Sequence, residues 1–117
     1  RSKEAVILEK DFAAAGSTVK IATDNGSFGQ HGFAADFLEE TSFDICYACG
    51  PKPMLKAVSK LCKQMNKQCW ISLEERMACG IGACLGCAVE LKRSNGESYY
   101  GHVCKDGPVF SSEEVVL

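Results

Sequence analysis

Several features that would assign this chain to a familiar class are missing from it. Its apolar runs fall short of the roughly 18 residues that a membrane-spanning helix requires, and no signal peptide opens the chain. It also has no basic run, and 13 Lys and Arg residues against 15 Asp and Glu give a formal net charge of −2. These absences argue against a membrane protein, a secreted protein and a nucleic-acid-binding protein.

Other elements of a complete enzyme are also missing. No glycine-rich phosphate loop of the G-x-G-x-x-G or Walker type occurs, and the chain starts at Arg1 without a Met, directly before a predicted helix. A sheet of only three parallel strands would leave its edges unpaired. We therefore expect these 117 residues to be the C-terminal part of a longer polypeptide.

What the chain does have is the composition of a folded α/β protein. It is 46% hydrophobic and 24% charged, which excludes a disordered chain. Helices and short apolar strands are predicted to alternate, which favours a parallel sheet with crossover helices. The predicted helices cover residues 4–15, 33–38 and 54–65, and the predicted strands cover 19–23, 45–48 and 69–73.

The composition changes after Leu73. A glycine-rich segment without periodicity is followed by two predicted strands, 89–92 and 98–103, which the turn signal Asn95-Gly96 joins into a hairpin. About 45 residues are too few for an independent core, so a unit of this size usually needs a metal or a disulfide. The sequence therefore predicts a second module over residues 73–117 that is held together by a metal or a disulfide.

Eight cysteines lie in the chain, and none precedes Cys46. Four of them have the C-x4-C-x2-C spacing followed by a fourth cysteine after sixteen residues, which is typical of a plant-type [2Fe–2S] cluster: Cys79, Cys84, Cys87 and Cys104. Three glycines in the same motif permit positive φ and bring backbone N–H groups close to the sulfurs: Gly80, Gly82 and Gly86. A structural zinc site is the alternative, and free or disulfide-bonded cysteines are a further one.

The other cysteines are less informative. Cys49 stands where a predicted strand ends and a helix begins, the position at which open α/β sheets bind ligands, although packing explains it equally well. Cys46, Cys49, Cys62 and Cys69 could together form a second metal site. Against that, Cys62 belongs to the apolar face of a helix, where a cysteine behaves as a small hydrophobic residue.

Three segments carry a resemblance to a known family. The segments 47–51 (Tyr-Ala-Cys-Gly-Pro) and 23–29 (Thr-Asp-Asn-Gly-Ser-Phe-Gly) resemble the nucleotide-binding domain of the ferredoxin–NADP reductase superfamily. Adding 75–87 (Glu-Arg-Met-Ala-Cys-Gly-Ile-Gly-Ala-Cys-Leu-Gly-Cys) narrows the resemblance to the electron-transfer subunits of type B dihydroorotate dehydrogenases. The resemblance covers essentially the whole chain.

The resemblance implies a fold and a set of binding residues. Residues 1–72 would form a partial Rossmann-like sheet, the C-terminal half of an NAD-binding domain, and residues 73–117 a small Cys-rich β module that holds the [2Fe–2S] cluster through the four cysteines above. Cys49 and Gly50 would lie beside nicotinamide and flavin. A carboxylate at Asp24 would favour NAD over NADP, since it would repel a 2′-phosphate. FAD would be bound mainly by the absent N-terminal part, so this fragment alone would be inactive.

The implied function is electron transfer in pyrimidine biosynthesis. In the family, an FMN-containing catalytic subunit oxidises dihydroorotate, and electrons pass singly through [2Fe–2S] to FAD and then as a hydride to NAD⁺. The resemblance further implies a cytoplasmic heterotetramer of two plus two subunits. The segment 81–85, which contains Ile81, Ala83 and Leu85, could dock the partner or pack on the nucleotide domain.

Two alternatives remain open. Subunits of other flavin and iron–sulfur reductases, such as sulfide dehydrogenase or ferredoxin–NADP reductase, share the layout but typically have Asp where Cys79 stands. A zinc-stapled interaction module without enzymatic activity is the other.

Overall fold

A computed structural model describes residues 2–117, which fall into two compact units. The first unit ends at Ser42 and the second spans Phe43–Leu117. The predicted boundary after residue 72 stays a prediction, and it falls inside the second unit. Within residues 2–117, no helix combines the length and apolarity needed to cross a membrane.

The first unit has short elements. A 3-10 turn covers Lys3–Ala5, helix α1 covers Glu9–Ala14, and a second 3-10 turn covers Ala34–Phe37. The prediction of one helix over residues 4–15 is wrong at its start, because Leu8 has a left-handed backbone (φ 59°) and α1 begins only after it. The predicted helix 33–38 is also reduced to a 3-10 turn, and Phe33 is exposed rather than packed on a helix face.

Two strands of two residues pair in this unit. Strand β1 (Ala22–Thr23) runs parallel to β2 (Gln30–His31). Thr23 is buried, and its hydroxyl donates to the Phe28 carbonyl at 2.9 Å, which fixes the intervening turn. The expected strand 19–23 is therefore shorter. Within the described residues its partner is β2, which sequence analysis did not predict.

The second unit contains the predicted βαβ element. Strand β3 (Ile45–Cys49) and strand β4 (Gln68–Ser72) are parallel and are connected by helix α2 (Lys52–Gln64). Pro51 and Pro53 suit the first turn of α2, where backbone N–H groups have no helical partner. The helix buries one face against the sheet with Leu55, Val58 and Cys62. The predictions for this part of the chain are confirmed within one or two residues at each end.

The C-terminal segment adds a hairpin and a sheet strand. Strands β5 (Ala88–Lys92) and β6 (Ser98–His102) are antiparallel, and the Asn95-Gly96 turn joins them as predicted. A single helical turn, α3 (Val103–Asp106), follows directly. Strand β7 (Val109–Ser111) then pairs antiparallel with β4, so the sheet has the order β3-β4-β7. Sequence analysis missed both α3 and β7, because elements of three or four residues are too short to show a period.

Candidate iron–sulfur site

The cysteine motif lies in an irregular loop between β4 and β5. Gly80 (φ 70°) and Gly82 (φ 76°) have left-handed backbones, which residues with a side chain rarely adopt. The expected role of these two glycines is confirmed. Gly86 does not have positive φ. It is instead confined by its surroundings, because a Cβ at this position would lie 3.4 Å from Cys84 Sγ and 3.5 Å from Ala78 Cβ.

Backbone N–H groups converge on the sulfurs of this loop. The N–H of Ile81, the thiol of Cys84 and the N–H groups of Cys84 and Ala83 lower the pKa of Cys79 to about 6. The N–H of Gly86 donates to Cys84 Sγ at 3.4 Å. The loop therefore stabilises negative charge on sulfur, which is what a site for metal-bound thiolates requires.

The fourth cysteine reaches the loop from α3. The Cys104 thiol donates to Cys87, and this bond together with burial raises the pKa of Cys104, while the Gly82 backbone acts in the opposite direction. The N–H of Val103 donates to the Cys87 carbonyl at 3.1 Å. Asp106 Oδ2 accepts a 2.7 Å hydrogen bond from the His102 N–H, which fixes the turn that carries Cys104.

These contacts link the four predicted ligands in pairs. The thiols of Cys79 and Cys84 share a hydrogen bond, the Cys104 thiol donates to Cys87, and the charge of Cys79 acts on the pKa of Cys104. Four neighbouring thiols linked in this way, with backbone N–H donors around them, fit the ligand set of an iron–sulfur cluster.

The predicted nucleotide residues of the second unit lie at the carboxyl end of the parallel strands. Cys49 ends β3 and is exposed, and its thiol lies 3.9 Å from Glu74 Oε1. A Cβ on Gly50 would lie 2.5 Å from Met54 Cε, so glycine lets the first turn of α2 approach the strand end. A shallow pocket of about 120 Å³ opens at this end, lined by Tyr47, Ala48, Cys49, Trp70, Ser72 and Val109.

The third predicted nucleotide residue, Asp24, belongs to the first unit. It directly follows β1 and precedes the turn in which Asn25 Oδ1 accepts from the Ser27 N–H at 3.1 Å. The position after a strand, in a turn, is the one that the sequence predicted.

One contact near the site was not anticipated. Glu75 is half-buried, and its carboxylate forms an ion pair with Lys52 Nζ at 2.5 Å. This pair joins the start of α2 to the chain that enters the cysteine loop. No sequence signal could have found it, since the two residues are 23 positions apart and lie in different elements.

Comparisons with known proteins agree with this geometry. Residues 74–116 match the family model described as the iron–sulfur cluster binding domain of dihydroorotate dehydrogenase B. The whole chain is 50% identical to the dihydroorotate dehydrogenase B (NAD(+)) electron transfer subunit of Geobacillus sp. (strain WCH70), of which it spans 44%. It is 49% identical, over 98% of its length, to the corresponding subunit of Caldanaerobacter subterraneus, of which it spans 46%. The chain thus spans less than half the length of these curated relatives.

A solved structure has the same fold. A chain from the NADH-dependent reduced ferredoxin–NADP oxidoreductase, described in connection with flavin-based electron bifurcation, matches 99% of this chain with a TM-score of 0.77 and 32% identity, and 41% of that chain is covered. The fold and site therefore define an iron–sulfur module together with part of a ferredoxin reductase-type α/β domain. Within that class, residues 74–116 are similar to the iron–sulfur cluster binding domain of dihydroorotate dehydrogenase B, and the chain is similar over its whole length to the electron transfer subunits of that name.

Proposed function

We propose that this chain is part of an electron-transfer subunit that relays electrons from a dihydroorotate-oxidising, FMN-containing subunit to NAD⁺. The observation that carries the proposal is that three thiols of a loop whose backbone N–H groups point at sulfur are joined by the Cys104 thiol from α3. The names of the curated relatives, which specify dihydroorotate dehydrogenase B, NAD(+) and electron transfer, support it.

The proposal assigns the cluster ligands as Cys79, Cys84, Cys87 and Cys104. A bound [2Fe–2S] cluster supplies one-electron transfer with little change in geometry, which suits it to a position between two flavins. The chain's own contribution is to hold the sulfurs and to surround them with donors. The N–H groups of Ile81, Ala83 and Gly86 favour added negative charge and so raise the reduction potential.

The proposal also assigns three residues to nucleotide binding. Cys49 and Gly50 would lie beside nicotinamide and flavin, where the pocket of about 120 Å³ opens at the strand ends. Asp24 would select NAD by accepting from a ribose hydroxyl. FAD would be held mainly by parts of the protein outside this chain. The proposed domains remain residues 1–72 for nucleotide binding and 73–117 for the cluster.

A docking surface for the partner is proposed at the tip of the cysteine loop. Ile81 and Leu85 are 74% and 78% exposed, although each lies within two residues of a proposed cluster ligand. Exposed apolar side chains beside a redox centre suit a protein partner that must approach the centre closely. We propose that the FMN-containing subunit covers them in a cytoplasmic assembly of two plus two subunits, where a reducing environment keeps the thiols free.

The ligand assignment can be tested by iron and acid-labile sulfide analysis with visible spectra of the full-length protein, purified anaerobically. Ser replacements at the four ligand cysteines, one at a time, should abolish the [2Fe–2S] spectrum. The matched control Cys46→Ser should keep it, because Cys46 lies on β3 outside the loop. Wild-type protein that is colourless and carries stoichiometric zinc would refute electron transfer and support the zinc-stapled module.

The docking surface is tested separately with Leu85→Glu in the complete complex. A buried charge at the interface should reduce co-purification of the catalytic subunit, while the cluster spectrum stays normal. Lys92→Glu is a matched exposed control on β5. Unchanged co-purification of Leu85→Glu would refute docking at this surface without affecting the cluster assignment.

A further inference from the structure

Three cysteines outside the iron–sulfur site form a second thiol group, between α2 and the sheet. Cys46 on β3 and Cys69 on β4 are register partners in the parallel pair. Cys62, on the helix that connects these strands, completes the group, and the three sulfurs lie within 4.8 Å of one another. Cys62 and Cys69 are 0% and 5% exposed, whereas Cys46 keeps part of its surface accessible. Cys49, the fourth cysteine of this region, is not part of the group.

The surroundings of Cys46 and Cys62 favour the protonated thiol. Burial and the neighbouring cysteines raise the pKa of Cys62 to about 12, and burial followed by Cys69 raises the pKa of Cys46. The same layer contains the buried apolar side chains of Leu55, Val58 and Ile71. Such side chains offer no hydrogen bonds or opposite charges that would stabilise a thiolate. A ligand for this group must therefore form a complex with no net charge, because the group lies in an apolar layer.

These conditions disfavour a divalent metal. Zinc binds thiolates and prefers four ligands, whereas the close group within residues 2–117 consists of three thiols. Three thiolates around a divalent ion would also leave a net negative charge in an apolar layer. A trivalent centre with three ligands and a lone pair at the fourth position avoids both costs.

We propose that Cys46, Cys62 and Cys69 form a binding site for trivalent arsenic, taken up as arsenous acid. Three S–As bonds replace three As–OH bonds, each thiol proton leaves with a hydroxyl as water, and no electrons are transferred: As(OH)₃ plus three RSH gives As(SR)₃ plus three H₂O. The product is neutral, as the layer requires. It cross-links β3, α2 and β4.

The test uses arsenite with full-length protein that carries its iron–sulfur cluster, under anaerobic conditions. After desalting, we expect one arsenic per chain, three fewer titratable thiols, an unchanged visible spectrum and a higher thermal midpoint, since a ligand that binds only the folded state stabilises it. Cys46→Ala should lower the apparent affinity by about 100-fold or more, since losing a residue that only supports a metal ligand already costs about 10–100-fold.

Val58→Ala is the matched control, because it removes buried volume one helical turn before Cys62 but keeps all three thiols. It should bind arsenite like the wild type. If Cys62→Ala fails to fold, Cys46→Ala still decides the question, since Cys46 is partly exposed. The proposal is overturned if Cys46→Ala binds arsenite as well as the wild type, or if arsenic uptake proceeds only in step with loss of iron.

Discussion

Replacing Gly82 with alanine should disturb the cluster loop more than the same change at Gly80. Both glycines have a left-handed backbone, with φ of 76° and 70°, and this conformation costs a residue with a side chain about 1–2 kcal/mol. The two positions differ in the space around them. A Cβ on Gly80 would meet no atom within 4 Å, whereas a Cβ on Gly82 would lie 2.7 Å from Cδ and 3.2 Å from Cβ of Lys105.

The clash between a Cβ at Gly82 and Lys105 acts on Cys104, a proposed cluster ligand. The end of the Lys105 side chain can move away, but its Cβ is fixed to the backbone beside Cys104, so relief of the clash displaces that residue. Overpacking of this kind costs about 1–3 kcal/mol. We therefore expect a total of about 2–5 kcal/mol for Gly82→Ala against about 1–2 kcal/mol for Gly80→Ala.

The assay is the rate at which full-length protein releases its iron to a chelator, followed by bleaching of the visible absorption. If the additional strain is relieved as the loop opens, Gly82→Ala should release iron about tenfold to a hundredfold faster than Gly80→Ala, because each 1.36 kcal/mol is about a factor of ten in rate. Lys105→Ala combined with Gly82→Ala removes the atom at 2.7 Å and should recover part of the difference. Equal rates for the two glycine variants, or no recovery in the double variant, would refute the reasoning.

Two further predictions concern stability, measured by urea unfolding. Leu55→Ala should lower the free energy of unfolding by about 2–5 kcal/mol, since Leu55 is 1% exposed; Leu85→Ala at 78% exposure should change it by less than about 0.5 kcal/mol. A large loss at Leu85 would mean that this side chain is packed. Asn66 directly follows the C-cap Met65 of α2 and has φ 53°, so Asn66→Ala should destabilise the protein by about 1 kcal/mol and Asn66→Gly by less; the reverse order would argue against the left-handed cap.

Sequence patterns predicted the elements that have a clear period or turn signal. The amphipathic stretch around Leu55 and Cys62 predicted α2, and Asn95-Gly96 predicted the β5–β6 hairpin, because these signals come from neighbouring residues. The helix expected from Glu4 was wrong at its start. Apolar spacing there gave no indication of the left-handed backbone at Leu8.

Contacts between distant residues escaped the same reasoning. Strand β7 is recognised only through its partner β4, and the Lys52–Glu75 ion pair joins residues whose separation along the chain carries no pattern. Gly86 shows the same limit at the candidate site. The sequence suggested both positive φ and a backbone N–H close to sulfur at this position; the N–H of Gly86 does lie 3.4 Å from Cys84 Sγ, but its φ is not positive.

The sequence by itself determined the chemistry that we propose for the cysteine loop, because the spacing of Cys79, Cys84 and Cys87 and the glycines between them restrict which ligand sets the loop can form. The tertiary structure decided how distant thiols group. The α3 turn brings Cys104 to Cys87, and the parallel pairing of β3 and β4 under α2 separates Cys49 from the group of Cys46, Cys62 and Cys69. The physical reason is that side-chain proximity across elements depends on strand register and helix packing, which no local pattern encodes.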